Sequence, residues 1–408
     1  TDDEITRVIV FIVFGLVLGG FIELILKYYK SPIPYTVLVF YAGLVLSLIC
    51  KALHVGIGDY ATDSTVAANI ILYGFLPTLL FSETMNINLL HFSQSFLQSV
   101  ILAGPGGVIV ACQLAICAYL ILPFNWSWNY YFLFGSIMCA TDPVSVVSLL
   151  KTSHASSALS TVIAGESLMN DGSAMILYFF FYNMINGQVY TPATFVQFVA
   201  EMILLSPTIG IAIGFAGFLI IRRIARPTNL HIDFQIAVTF ICAYTSYFVA
   251  GSVLEVSGVL SCCGAGVTVA LLVNPSIVQH EKMQETWELM EWSCNTLIFL
   301  LGGFIGGEHT YNNFTTLNVI LLIVMYFFLT ITRAVMVTML FPLVSRIGMR
   351  MSPPEGVFCV YAGLRGALAI ALALDASRNA QDRGNDGLGG QFFFIITGVV
   401  SMTLLING

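Results

Sequence analysis

The sequence predicts an all-α polytopic membrane protein of about thirteen transmembrane helices, with spans 1–6 and 8–13 forming an inverted repeat and two crossed broken helices at spans 5 and 12. Three observations predict it. Of the 408 residues, 58% are apolar and only 9% charged, where a soluble domain carries about 25% charged residues. Mean hydropathy is correspondingly high, at +0.90. The apolar residues gather into runs of about 20, the length that crosses a hydrocarbon core. Finally, one orientation collects most basic loop residues on a single side of the membrane. The net charge of −7 gives no support to nucleic-acid binding.

The runs fall at roughly 5–29, 33–51, 66–82, 95–122, 129–150, 161–186, 194–221, 232–250, 254–273, 288–306, 314–344, 354–374 and 390–408. The first is too long for a signal peptide and opens on Asp2, Asp3 and Glu4, an acidic front. The third and ninth are short or glycine-rich. The chain lacks an initial Met and stops inside an apolar stretch, Leu404 to Gly408, as a piece of something longer would. With the N-terminus outside, the cytoplasmic loops hold Lys27, Lys30, Lys151, Arg222, Arg223, Arg226, Lys282, Arg346 and Arg350. Only Arg7, Lys51, Arg378 and Arg383 then lie outside, so the C-terminus is placed in the cytoplasm.

Span 1 runs inward and span 8 outward, so two six-span halves flank a linker span 7, a common transporter layout. Span 5 is interrupted by Thr141-Asp142-Pro143, where proline removes a backbone donor. Its counterpart, span 12, carries Gly363-Leu364-Arg365-Gly366. Breaks at matching positions of two halves point to a transport site. Glycines such as Gly104, Gly106 and Gly107 in span 4 suit close helix contacts, or are ordinary membrane-helix glycines.

A charge in the hydrocarbon core costs at least about 2.5–3.5 kcal/mol, so each one calls for a reason. Asp142, Glu166, Asp171, Arg333 and Arg365 are the unavoidable ones. Counted from the span ends at 1.5 Å per residue, Asp142, Asp171, Arg333 and Arg365 lie about 12–17 Å deep. Glu166, about one turn shallower, is within reach of Arg333, and this pair is assigned a structural role. Ser167 and Asp171 form one i,i+4 pair and Glu166 and Asn170 the next, a polar stripe on an apolar helix. Carboxylate, hydroxyl and amide oxygens suit a small hard cation. Asp142 either shapes the field of the cavity or pairs with Arg365.

Other chemistries fit less well. A cation channel needs a filter or ring of charges around a continuous pore. A serine nucleophile needs a base, and His54, His91, His154, His231, His280 and His309 all fall at span ends or in loops. Nine cysteines in or beside apolar runs read as small hydrophobes rather than as a disulfide frame or zinc site.

Ala140-Thr141-Asp142-Pro143, Gly165-Glu166-Ser167-Leu168-Met169-Asn170-Asp171-Gly172, Glu255-x-Ser257-Gly258-Val259-Leu260 and Gly363-Leu364-Arg365-Gly366-Ala367 occur in the order in which the sodium/proton exchanger family carries them. The chain resembles that family of cation/proton antiporters. Within it, the run from Gly165 to Gly172 is similar to the sperm-specific exchangers and the plant plasma-membrane salt-tolerance exchangers. Ser173-Ala174-Met175 and Tyr178-Phe179-Phe180-Phe181 favour the sperm type. The resemblance implies electroneutral one-for-one exchange of Na⁺ for H⁺ across the plasma membrane, regulating intracellular pH. A K⁺(Na⁺)/H⁺ antiporter of the plant type is the alternative. It implies Asp171 as carrier, Thr141 and Ser167 as Na⁺ ligands beside it, and Asn170 in the place where electrogenic members carry a second aspartate. No cofactor is implied beyond the transported ions.

The same resemblance implies a homodimer in the bilayer, with scaffold helices in 1–94 and 187–310 and a moving core in 95–186 and 311–408. For the sperm type it further implies the flagellum, with voltage-sensing and cyclic-nucleotide-binding domains downstream. No row of arginines at every third position occurs in these 408 residues.

Overall fold

The computed structural model describes residues 2–29, 33–52, 70–143, 146, 150, 157–224, 232–273, 277, 279, 280–313, 315–349, 351–384 and 386–407. Lys30, His54, positions 66–69 of the third run, Lys151, His154, Arg226, His231 and Arg350 lie outside these residues, as does most of the second half of span 5. Among the described residues all regular secondary structure is helical, without strands.

Helices occupy the expected apolar runs in order. They are α1 (Asp2–Tyr29), α2 (Tyr35–Ala52), α3 (Ile70–Met85), α4 (Leu89–Ala103), α5 (Pro105–Ile121), α6 (Trp128–Cys139) and α7 (Ser157–Ile185). There follow α8 (Pro192–Ala200, continuing through Glu201–Leu205 and Ser206–Ile224), α9 (Ile232–Val253), α10 (Gly258–Val273) and α11 (His280–Asn313). The last are α12 (Thr316–Val344), α13 (Pro353–Tyr361), α14 (Ala367–Asp382) and α15 (Asp386–Asn407). Among the described residues, eight helical stretches are long and apolar enough to cross a membrane, and α3 and α10 are shorter apolar helices. The fifth, sixth and twelfth expected spans are those that carry the breaks and the polar stripe.

The run at 95–122 differs from its reading as one helix. It begins earlier, at Leu89, where the Asn88 side chain caps the backbone N–H of Leu90 and His91. It then breaks at Gly104-Pro105, because Pro105 has no N–H for the helical ladder. The break in span 5 follows Cys139, where Ala140 turns extended (φ −57°, ψ 137°). The break in span 12 separates α13 from α14. The two breaks touch: Asp142 N–H donates to the Leu364 carbonyl at 2.9 Å. Short π-helical stretches open α3 (Ile70–Phe75), interrupt α8 (Glu201–Leu205) and close α9 (Val249–Val253) and α10 (Val269–Val273).

Packing sorts the helices by depth in the bundle. Of the most apolar window of α1, 11% is buried, against 72% in α11 and in α15, so α1 is peripheral and the other two are internal. An apolar helix exposed in this way suits an apolar surrounding rather than water. The internal α11 lies against α2 at backbone contact. A Cβ on Gly303 would collide with the Phe40 carbonyl, and one on Gly43 with that of Leu300. Small residues admit this approach where no hydrophobic driving force exists between helices in lipid.

Candidate ion-binding site

The last carbonyls of a helix lack intrahelical donors and carry its negative dipole end. At the end of α6 those groups meet three side chains. Arg365 Nη1 donates to the carbonyls of Cys139 (3.1 Å) and Ala140 (3.0 Å). Asn170 Nδ2 donates to Cys139 O at 2.6 Å and to Thr141 Oγ1 at 3.2 Å. Ser167 Oγ donates to the Thr141 carbonyl and lies 3.4 Å from Thr141 Oγ1. The polar stripe of α7 is thus laid along the broken end of α6.

The opposite helix end faces Asp142. α14 starts after Gly366, and a Cβ on Gly366 would collide with the Asp142 carboxylate. A carboxylate there complements the positive end of the α14 dipole. Of the two readings left open for Asp142 and Arg365, the hydrogen bonds of Arg365 favour field-shaping. Its Nη1 goes to carbonyls, while Nε and Nη2, in a fully buried side chain, have no hydrogen-bond partner.

Glu166 and Arg333 are in contact. Arg333 Nη2 lies 3.0 and 3.1 Å from the two Glu166 carboxylate oxygens, and Arg333 Nε donates to Cys359 O at 3.0 Å. Both residues are 4% exposed or less. Asp171 is different. It is 7% exposed, yet its Oδ1 has no hydrogen-bond partner. Buried carboxylate oxygens without a partner are rare and costly.

Asp171 faces a narrow cleft that also takes in Thr141, Asp142 and Gly366. Its opposite wall is built from α3 and α11 and includes Glu83 and Asn295. Behind Glu83, the Ser82 hydroxyl donates to Glu291 Oε2 at 2.7 Å. Sequence reasoning passed over all three. Glu83 falls one residue beyond the run at 66–82 and reads as loop, and Glu291 reads as the polar start of its run. Asn295, an uncharged amide inside an apolar run, carries the weakest signal of the three. On the other side of Asp171, Gly172 admits the Leu260 side chain of α10, with which a Cβ would collide. All nine cysteines are free thiols, and none lines the cleft.

Residues 13–408 match the family described as sodium/hydrogen exchanger, transmembrane. Sodium/hydrogen exchanger 7 of Arabidopsis thaliana is 32% identical over 415 residues, which cover 98% of this chain and 35% of that protein. Sodium/hydrogen exchanger 8 of the same plant is 30% identical over 421 residues, covering 100% of this chain and 54% of the relative. Human sodium/hydrogen exchanger 3 is 26% identical over 357 residues, covering 84% and 41%. The chain therefore spans only part of the length of these relatives. In fold it matches the sodium proton antiporter MjNhaP1 from Methanocaldococcus jannaschii at pH 8, with a TM-score of 0.79 at 16% identity over 99% of this chain and 96% of that one. Members of this family are transporters that need no cofactor, and this multi-pass membrane chain belongs to the sodium/hydrogen exchanger family.

Proposed function

We propose that the chain is the transport portion of an electroneutral exchanger, moving one Na⁺ against one H⁺ at Asp171 and so regulating intracellular pH. The observation that carries this reading is the buried Asp171 carboxylate, whose Oδ1 is unpartnered, set beside the hydroxyls of Thr141 and Ser167 at the end of a cleft. One carboxylate that holds either a proton or Na⁺ makes the two ions compete, and competition couples them. Asn170 spends its amide on Cys139 O and Thr141 Oγ1, as a neutral group that shapes the site without titrating.

Thirteen crossings, with the N-terminus outside and the C-terminus cytoplasmic, complete the reading. In that orientation α3 runs inward, so Glu83 lies on the cytoplasmic side and the cleft is the inward access path. Alternating access then follows from movement of the core (95–186 and 311–408) against the scaffold (1–94 and 187–310), in a homodimer. Support for a unitary core comes from the far end of α7, where Tyr178 OH donates to Asp375 Oδ2 at 2.6 Å and Tyr182 OH accepts from Asn379 at 3.0 Å. We place the protein at the plasma membrane. Ser173-Ala174-Met175 and Tyr178–Phe181 support the sperm type, with a flagellar location and downstream voltage-sensing and cyclic-nucleotide-binding domains. The identities of 32% and 30% to two plant sodium/hydrogen exchangers support the alternative, an antiporter of the plant type.

Proteoliposomes test the reading directly. A pH gradient should drive uptake of Na⁺, with Li⁺ and K⁺ measured beside it to rank the cations. With voltage clamped by K⁺ and valinomycin, the Na⁺ gradient that balances a given pH gradient should not move with potential. A balance point that shifts with voltage refutes the one-for-one count and makes Asp142 the first suspect. Glu83→Gln should raise the half-saturating Na⁺ severalfold and leave maximal rate near wild type, because the carboxylate on the scaffold wall attracts the cation without carrying it. Unchanged half-saturation would remove Glu83 from the path.

A further inference from the structure

The geometry points to Ser173 as a positioning residue for the ion site, one that anchors the ion-binding turn of α7 to the break in α4. The inference rests on Asp171 being the cation site. Ser173 lies three residues past Asn170, on the adjoining surface of α7. Its hydroxyl donates to the Ala103 carbonyl at 2.7 Å, and Asn170 O and Oδ1 lie 3.0 and 3.4 Å away. Ala103 is the last residue of α4, before Gly104-Pro105. A third interrupted helix is thereby tied to the same turn that meets the broken end of α6. Gly107 leaves room for this approach: a Cβ there would stand 3.1 Å from Ser173 Oγ and 3.2 Å from Asn170 Oδ1, so both would have to shift by a few tenths of an ångström.

The consequence is positional. Asn170 is held on one side through Nδ2 to Cys139 O and Thr141 Oγ1, and its turn is held on the other through Ser173 to Ala103 O. Asp171 follows in the same turn, so the distance from its carboxylate to the Thr141 and Ser167 oxygens depends on both ties. Ser173 touches no ion in this arrangement. It sets the spacing of the oxygens that do.

The test reads cation affinity without relying on transport. Na⁺ binding to the native state stabilises the purified chain by RT ln(1 + [Na⁺]/Kd), so the dependence of melting temperature on Na⁺ concentration gives Kd, the midpoint of site occupancy. Ser173→Ala should move that midpoint upward about two- to tenfold, the worth of one net hydrogen bond. It should also alter the ratio of the Na⁺ and Li⁺ midpoints. Ser173→Thr, which keeps the hydroxyl, should restore both, and Gly107→Ala should reproduce the alanine effect from the α5 side. Equal midpoints and ratio in Ser173→Ala and wild type overturn the inference, as does an ion-free melting drop with no change in midpoint. Failure of the wild type to show any Na⁺ stabilisation overturns it as well. A wild type that binds Na⁺ with a Ser173-dependent midpoint but does not exchange it refutes exchange and leaves Ser173 in place.

Discussion

Asp171→Asn is expected to reduce Na⁺-driven proton flux in proteoliposomes to the level of protein-free vesicles, while the variant still folds and purifies. The two halves of this expectation have separate causes. The amide has the shape of the carboxyl group but neither takes up the proton nor supplies charge to a cation, so the exchanged species lose their common site. Folding should survive because Asp171 Oδ1 makes no hydrogen bond that the protein would lose. An isosteric neutral group in a buried position also removes a desolvation cost. Flux is read with a pH-sensitive dye under an imposed Na⁺ gradient, and folding by the elution profile and melting temperature. Substantial Na⁺-dependent flux in the variant would refute the assignment of Asp171 as carrier.

Arg333→Ala should act on stability. Removing one partner of a buried ion pair leaves the other charge uncompensated, at about 3–5 kcal/mol. Here Glu166 would lose its 3.0 and 3.1 Å contacts, and the Cys359 carbonyl the donor at 3.0 Å. Lower yield and a lower melting temperature are expected. Combining Glu166→Gln with Arg333→Met should recover part of the loss, since it removes both charges and refills the volume. Equal melting temperatures for Arg333→Ala and wild type would remove the structural role from this pair and reopen a functional one.

The helical architecture was legible because a membrane enforces it: every spanning segment must be long, apolar and internally hydrogen-bonded. Two breaks were legible, one through Pro143 and one through Gly363 and Gly366 around a charge. Gly104-Pro105 carried the same proline signal inside a run counted as continuous. The charged layer was also legible, through depth alone. What depth does not contain is partnership, and Arg365 shows why. Its hydrogen-bond partners are backbone carbonyls of Cys139 and Ala140, groups that every residue carries and no letter distinguishes. Glu83 escaped for another reason. The opposite wall of the cleft is brought in by packing of α3 and α11, and no motif links those helices to Asp171. The π-helical stretches arise from local register shifts that have no compositional mark.

The neutralised ends of the broken helices bear on leakage. Glu166 is offset by Arg333, and Asp142 and Arg365 offset a dipole end each, which leaves Asp171 as the unbalanced charge at the ion site. On the proposed cycle, a core holding Na⁺ or a proton crosses electrically silent, whereas one returning without an ion carries a bare carboxylate through hydrocarbon. At about 2.5–3.5 kcal/mol or more, that return is slowed about a hundredfold. Slippage, the futile escape of one ion without its counterpart, is then suppressed by solvation physics rather than by a latch. A neutral residue at position 142 would upset this arithmetic, making leak current in sodium-free vesicles a measure of how well the helix ends are balanced.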